Sequence, residues 1–294
     1  MFHKGIYMRY FLLLFLSLSL LASDISVQVL GSGGPEGGER ASSSYLIKKD
    51  GKAIVLVDFG GGAFLRFGQA KAKLEDLQAV LITHLHIDHV VDLPALMKAG
   101  YFSDRESPLP LLGPGGNEYF PGFDQYLQTQ FGSKGSYRYM SDILSTDSES
   151  FSILAYEIKS KKTLQIKDLT VTSIPVNHGI VPALAYRVDI DGKSIVLSGD
   201  TTAQGTHLEE ISKDADILVA HHAVSQEACI GATMLHMTPR RIAQVVSTSK
   251  PKTLLLSHRM KRTFGSKEQS TRIIQSNYAG KIIWAEDLME IKIP

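Results

Sequence analysis

The sequence has 294 residues, 44% of them hydrophobic and 21% charged, with a formal net charge of +1. That balance excludes a disordered, collagenous or coiled-coil chain and predicts a packed core. Near-zero net charge predicts no strong nucleic-acid partner, and a single cysteine, Cys229, excludes an internal disulfide, so any metal must rest on His and Asp.

The chain opens on a basic start with Lys4 and Arg9, then an apolar run over 11–21, then Ala22 and Ser23. This order reads as a secretory signal peptide over residues 1–23. Its apolar part is shorter than the about 20 residues of a membrane span. The expectation is an exported protein, periplasmic or secreted, that meets a membrane only through this segment. Cleavage would take the 31 basic residues to 29 against 30 acidic, a net −1.

Residues 24–294 then read as one domain. Residues 24–30 form an apolar strand closed by Gly31-Ser-Gly-Gly34. Two further strands, 44–49 and 52–58, flank Asp50-Gly51, a strong two-residue hairpin signal. A helix is expected over 63–73, a buried strand over 79–83 and a helix over 90–99. Residues 101–160, rich in Gly, Ser, Tyr and Phe, read as a loop-rich insertion near an active-site mouth, where Tyr101, Phe102, Tyr119, Phe120, Phe123 and Tyr126 would line an apolar pocket. Beyond it the pattern repeats. Tyr45, Asp50-Gly-Lys52 and Ile54-Val-Leu56 recur as Tyr186, Asp191-Gly-Lys193 and Ile195-Val-Leu197, at an offset of 141 residues. Such a repeat predicts a pseudo-duplicated fold: two sheets face to face with helices outside, an αββα sandwich of the α/β class. Buried strands over 216–220 and 253–257, with a helix over 239–248 between them, complete it.

The chemistry concentrates at strand ends. His84, His86, Asp88 and His89 lie within six residues, just past the strand at 79–83. Imidazole and carboxylate are natural zinc ligands. Alternate residues in such a turn can serve two ions, His84 and His86 on one, Asp88 and His89 on the other. His178, Asp200 and His258 each follow another apolar strand and are the candidates to complete the set.

Thr83-His-Leu-His-Ile-Asp-His89, with Ser198-Gly-Asp200 and Leu256-Ser-His258, resembles the metallo-β-lactamase superfamily over almost the whole chain. Leu30-Gly-Ser-Gly-Gly34, Ala41-Ser-Ser-Ser-Tyr45, Leu109-Pro-Leu-Leu-Gly-Pro114 and Leu235-His-Met-Thr-Pro239 make it most similar to the ribonuclease Z and arylsulfatase-like branch. The resemblance implies that His84, His86 and His178 hold one Zn²⁺ and Asp88, His89 and His258 a second, with Asp200 bridging them; Mn²⁺ or iron is compatible with the same donors. It also implies a shared hydroxide as nucleophile, with Asp88 in the catalytic set, and places a proton-donating His at His236. The ribonuclease Z pattern has His-Glu-Ala-Thr where this chain has His221-His-Ala-Val224. His222 thus replaces the Glu that would pair with the donor, and is expected to contact an anionic substrate. His221 reads as a packed strand-end residue, and Arg259 as an anion-binding residue.

The His222 replacement, the export signal and the absence of a basic arm favour a small sulfate or phosphate ester as substrate. The expected protein is therefore an arylsulfatase- or phosphodiesterase-like zinc hydrolase, possible as a homodimer. The alternatives are a ribonuclease Z-like enzyme acting on RNA, a β-lactamase or lactonase, and a non-enzymatic metal-binding module.

Overall fold

The computed structural model describes residues 23–145, 147–148 and 151–294. The expected signal segment, except Ser23, lies outside the described residues. Among the described residues no helix is long and apolar enough to cross a membrane.

The first half supplies β1 (Ile25–Gly31), β2 (Ser44–Lys49), β3 (Lys52–Val57), β4 (Ala79–Leu81), β5 (Leu109–Pro114) and β6 (Ile153–Ile158). The second supplies β7 (Lys162–Ile166), β8 (Leu169–His178), β9 (Val181–Ile190), β10 (Lys193–Leu197), β11 (Ile217–His221), β12 (Thr253–Ser257) and β13 (Lys281–Trp284), and β14 (Glu290–Ile293) returns to pair with β1. The helices are α1 (Ala63–Gln69), α2 (Ile87–Val90), α3 (Leu93–Gly100), α4 (Phe123–Phe131), α5 (His207–Ile211), α6 (Ile230–Thr233), α7 (Pro239–Ser249) and α8 (Lys267–Gln275).

The sheets are β14-β1-β2-β3-β4-β5-β6 and β7-β8-β9-β10-β11-β12-β13. In each, the first three pairings are antiparallel and the last three parallel. The internal repeat is therefore structural. The β2–β3 hairpin turns on Asp50 (φ 50) and Gly51 (φ 79), and β9–β10 on Asp191 (φ 47) and Gly192 (φ 75). Two consecutive left-handed residues are what a right-twisted two-residue hairpin demands, and Asp-Gly supplies them cheaply.

One apolar cluster lies between the sheets, including Val27, Tyr45, Val57, Leu81, Leu184, Tyr186, Leu197 and Val219. Two others fill the spaces beneath the outer helices. The αββα sandwich expected from the repeat is thus the observed fold. The two halves also share polar ties. Tyr186 on β9 donates to the carbonyl of Ile82 at 2.9 Å, and Tyr45 on β2 donates to Ser257 Oγ at 2.8 Å. Each repeated tyrosine anchors its own sheet to the other one.

Residues 101–160 differ from expectation. They contribute two parallel strands, β5 and β6, and α4, because their apolar residues recur at strand and helix spacing that the Gly-rich breaks obscure. Phe123 and Phe131 are fully buried under the first sheet and Tyr126 packs against them, so these rings are core and line no substrate pocket. The helix expected over 90–99 is broken in two at Val91 and Asp92, with Pro94 in the first turn of α3. The break leaves α2 as a single turn carrying Asp88 and His89. In the second half, α7 starts where its sequence says it should. Thr238 Oγ1 accepts the Arg241 N–H at 3.3 Å and Pro239 opens the helix.

Candidate metal centre

The C-terminal ends of the parallel strands of both sheets face one another, and the ligand-type residues sit there. This is where open sheets place function, because the backbone leaves the sheet and frees side chains from the core. His84 to His89 follow β4. His178 ends β8, Asp200 follows β10, His221 ends β11 and His258 follows β12. Gly199 permits the meeting. Its φ is +56, and a Cβ there would stand 2.8 Å from Thr83 Cβ and 3.0 Å from the Leu184 carbonyl. Only glycine lets the Asp200 turn press against the His84 turn.

One carboxylate oxygen is the hub. Asp200 Oδ2 lies 3.8 Å from His84 Nε2, 3.7 Å from His89 Nε2, 3.8 Å from His178 Nε2, 3.4 Å from His258 Nε2 and 3.8 Å from His236 Nδ1. His86 closes one side, its Nδ1 at 3.3 Å from His178 Nε2. Asp88 closes the other, its Oδ2 at 3.2 Å from His258 Nε2 and 3.7 Å from His89 Nε2. The structure therefore brings together His84, His86, Asp88, His89, His178, Asp200 and His258, the seven residues singled out from sequence.

The imidazoles are oriented from behind. His84 Nδ1 meets Thr83 Oγ1 at 3.0 Å, His89 Nδ1 meets Asp58 Oδ2 at 2.7 Å, and His178 Nδ1 meets the Leu235 carbonyl at 2.8 Å. Each ring so presents Nε2 to the hub. His84 Nε2 and His89 Nε2 are buried with no hydrogen-bond partner among the described residues. A buried polar atom without a partner is costly. Anchored Nδ1, free Nε2 and a shared carboxylate are the arrangement that metal-ligating histidines adopt. The donors thus fit divalent ions: His84, His86, His178 and Asp200 form one group whose ligand atoms lie within 4.8 Å of one another, and His89, Asp200, His221 and His258 form a second.

Electrostatics agree for the first group. Burial holds His84, His86 and His178 below the usual histidine range, so they are neutral, the form that binds metal. Burial pushes the Asp88 carboxyl up, but the His258 hydrogen bond and the His89 charge outweigh it and hold Asp88 down to about 2. It is ionised at neutral pH. Burial also opposes charge on His89, and the Asp58 and Asp200 carboxylates overcome it, so His89 sits well above its ordinary value.

Asp58, Thr83 and Tyr45 were not assigned a role from sequence, and His221 was expected only as a packed strand-end residue. Asp58 accepts from the Thr83 N–H at 2.7 Å and Thr83 Oγ1 at 2.8 Å besides holding His89. Its φ is +54, as is that of His258. Such left-handed non-glycine residues cost about 1–3 kcal/mol each and concentrate at functional sites. The signal for Asp58 was present: it follows the first Ile-Val-Leu strand much as Asp200 follows the second. His221 is more than a packed residue. Its Nδ1 lies 2.7 Å from Asp200 Oδ1, and its Nε2 lies 3.1 Å from Tyr45 Oη. With both ring nitrogens engaged, His221 holds Asp200, and Asp88 is left to serve the second ion. Tyr45→Phe is expected to lower metal affinity about 10–100-fold with the fold intact. Competition with a chromogenic chelator measures it, and unchanged affinity would reduce Tyr45 to an inter-sheet tie.

Two expected residues sit elsewhere. The His222 ring turns outward: Nε2 meets Ser270 Oγ of α8 at 2.9 Å and the ring packs edge-on against Trp284 at 4.9 Å. Side chains of consecutive residues leaving a strand point to opposite faces, so His221 and His222 cannot both face the hub. His222 therefore has no anion contact. Arg259 also lies outside the ring of ligands, against Phe264 and Trp284. His236, in contrast, borders the hub. Burial pushes it down to about 3 and its Nδ1 has no partner among the described residues.

A sequence family described as the beta-lactamase superfamily domain matches residues 55–259, spanning the ligand-bearing turns from Asp58 to His258. The chain belongs to the metallo-β-lactamase superfamily. It is 26% identical over 289 residues to a ribonuclease Z of Mycobacterium bovis (strain BCG / Pasteur 1173P2), covering 92% of this chain and 98% of that protein. A ribonuclease Z of Mycobacterium sp. (strain KMS) is 31% identical over 213 residues, 69% of this chain and 70% of the relative. Among solved structures, the fold is shared with the metallo-beta-lactamase fold protein YhfI from Bacillus subtilis, at a TM-score of 0.73, 20% identity and coverage of 92% and 99%. It is shared equally with human tRNase Z, short form, at a TM-score of 0.70, 20% identity and the same coverage. This metallo-β-lactamase-fold chain is a metal-dependent hydrolase.

The relatives correct one expectation. A small anionic ester, with no strong nucleic-acid binding, was expected; relatives matched over nearly their whole length are named ribonuclease Z. Net charge misled because it averages over the surface, whereas attraction of a phosphate depends on the local field of the site.

Proposed function

We propose that this chain is a two-zinc phosphodiesterase acting on RNA in the manner of ribonuclease Z. The observation that carries the reading is Asp200 Oδ2, set 3.4–3.8 Å from five imidazole nitrogens and shared by two ligand groups. His84, His86 and His178 would hold one ion, Asp88, His89 and His258 the other, and Asp200 both. When bound, such a pair activates water near neutral pH and offsets charge on a phosphodiester.

The chain's own residues do the rest. His221 and Tyr45 keep Asp200 from rotating, and Asp58 and Thr83 keep His89 and His84 aimed at the hub. His236, whose Nδ1 lies 3.8 Å from Asp200 Oδ2, borders the hub and would deliver a proton to the leaving oxygen. Burial, helped by the charges of His258, His178 and Arg262, keeps this ring neutral, so it becomes an acid only when an anionic phosphate beside it stabilises the imidazolium. The glutamate that would do so permanently is absent, and His222 faces away. His236→Ala is expected to slow RNA cleavage, with its poor alkoxide leaving group, by about 10²–10⁴-fold. Hydrolysis of bis(p-nitrophenyl) phosphate, whose leaving group needs no proton, should fall far less. Equal losses on both would remove the acid role.

The test of the main reading is incubation of zinc-loaded protein with a transfer-RNA precursor and a single-stranded oligoribonucleotide, each with a chelator control. Chelator-sensitive endonucleolytic cleavage is the expected result. Turnover of an aryl sulfate or a β-lactam, with both RNAs intact, would sink it. Export through residues 1–23 is a separate proposal, checked by the N-terminal sequence of the mature protein.

A further inference from the structure

Beside the metal centre lies a cavity of about 390 Å³, enclosed by the Gly33–Arg40 loop and the segment from Arg259 to Phe264. It is outside the ring of ligands yet touches it: a Cβ on Gly34 would stand 2.9 Å from His258 Cε1. The Arg259 N–H donates to the Ser32 carbonyl at 2.8 Å, which pins the two walls together.

One buried donor in this cavity is unmatched. Arg259 is buried, only 7% exposed, and its Nε has no hydrogen-bond partner among the described residues. Its guanidinium stacks between Phe264 and Trp284, 5.2 Å from each ring centre. Arg40 approaches the same Phe264 ring at 5.6 Å. Both arginines turn to one carboxylate, Glu286, at 2.5 Å from Arg40 and 3.6 Å from Arg259. Arg40 also donates to Ser32 Oγ at 2.7 Å, so Arg259 is the less satisfied of the two. A desolvated, planar guanidinium with an open donor favours an oxyanion that accepts two parallel hydrogen bonds, such as phosphate. Phe264 remains 46% exposed at the cavity wall, an aromatic surface that a base can pack against. Glu36 and Glu39 also line the space, and Glu36 accepts the Lys261 N–H at 2.6 Å. Two carboxylates discourage a run of phosphates. The volume lies in the range of about 300–1,000 Å³ that holds one small ligand.

We propose that this cavity is a nucleotide subsite, in which Arg259 and Arg40 take the phosphate next to the scissile one and Phe264 stacks its base. The assignment rests on the RNA-cleaving reading above, and deepens it by giving the second contact that a strand makes beyond the metals.

Trp284, the chain's single tryptophan, reports on occupancy through Arg259. Metal-loaded protein is titrated with 5′-AMP, with adenosine and with inorganic phosphate while Trp284 fluorescence is followed. 5′-AMP should bind saturably and at least tenfold more tightly than either half. Arg259→Gln and, at the half-exposed position, Phe264→Leu should each weaken it about tenfold or more. Both variants should also lose at least tenfold more kcat/KM on RNA than on bis(p-nitrophenyl) phosphate, which has no neighbouring nucleotide. Equal 5′-AMP affinity in wild type and both variants would place its phosphate on the metals only and overturn the subsite. Uncleaved RNA together with variant-sensitive 5′-AMP binding would sink the ribonuclease reading and leave the subsite standing.

Discussion

Asp200→Ala is expected to abolish hydrolysis, a fall of about four orders of magnitude or more, because it removes the one side chain that both ions would share. Its Oδ2 lies 3.4–3.8 Å from four ligand imidazoles, and Oδ1 is already committed to His221 at 2.7 Å. No other carboxylate can move in, since Asp88 faces His258 and His89 from the opposite side. Metal content by plasma mass spectrometry should fall in parallel. The stabilisation that added zinc confers on the wild type, about 4 kcal/mol at a thousandfold excess over Kd, should largely vanish from the variant's thermal melt. Full metal content with full activity would show that the hub is elsewhere.

Asp58→Ala is expected to be the most damaging change outside the ligands. The carboxylate is fully buried and satisfies three donors at once: the Thr83 N–H, the Thr83 hydroxyl and His89 Nδ1. Removing it strands them, at a cost of about 3–5 kcal/mol. The pH dependence of that cost has a definite sign in metal-free protein. Asp58 helps raise the folded value of His89 above its unfolded one. Stability from the pair is therefore fully present below the unfolded histidine value and is lost as pH rises through the folded one. Chemical denaturation of chelator-treated protein should show the gap between wild type and variant at its widest in mildly acidic buffer, closing toward alkaline pH. A gap that widens toward alkaline pH would contradict the pairing. With metal present, the loss of His89 orientation should cost about 10–100-fold in affinity.

The proposed substrate, RNA instead of a small ester, would have consequences for which groups matter. A small ester could be handled by the metals and one acid. A polymer brings a phosphate on either side of the scissile one, and a chain of near-zero net charge must meet those locally. On that proposal, the cavity beside His258, with Arg40 and Arg259 on one aromatic ring, would be such a local device.

The architecture was legible in the sequence because it rests on short-range rules. The Asp-Gly turns at 50–51 and 191–192 dictate two hairpins, and the repeated strand after each dictates two like sheets. The run from His84 to His89 marks the metal site because those donors are adjacent in the chain, and His178, Asp200 and His258 share its position at a strand end. What only the tertiary structure decided is everything that depends on side-chain direction across the two sheets. His221 and His222 are neighbours of the same type, yet one grips Asp200 and the other packs on Ser270, since strand geometry sends them to opposite faces. Tyr45 reaches His221 across 176 residues of chain, and Asp58 reaches His89 across 31. Sequence spacing carries no record of such contacts. They exist because burying the apolar faces of both sheets in one core brings the strand ends together, and buried polar groups there must find partners in whichever sheet lies opposite.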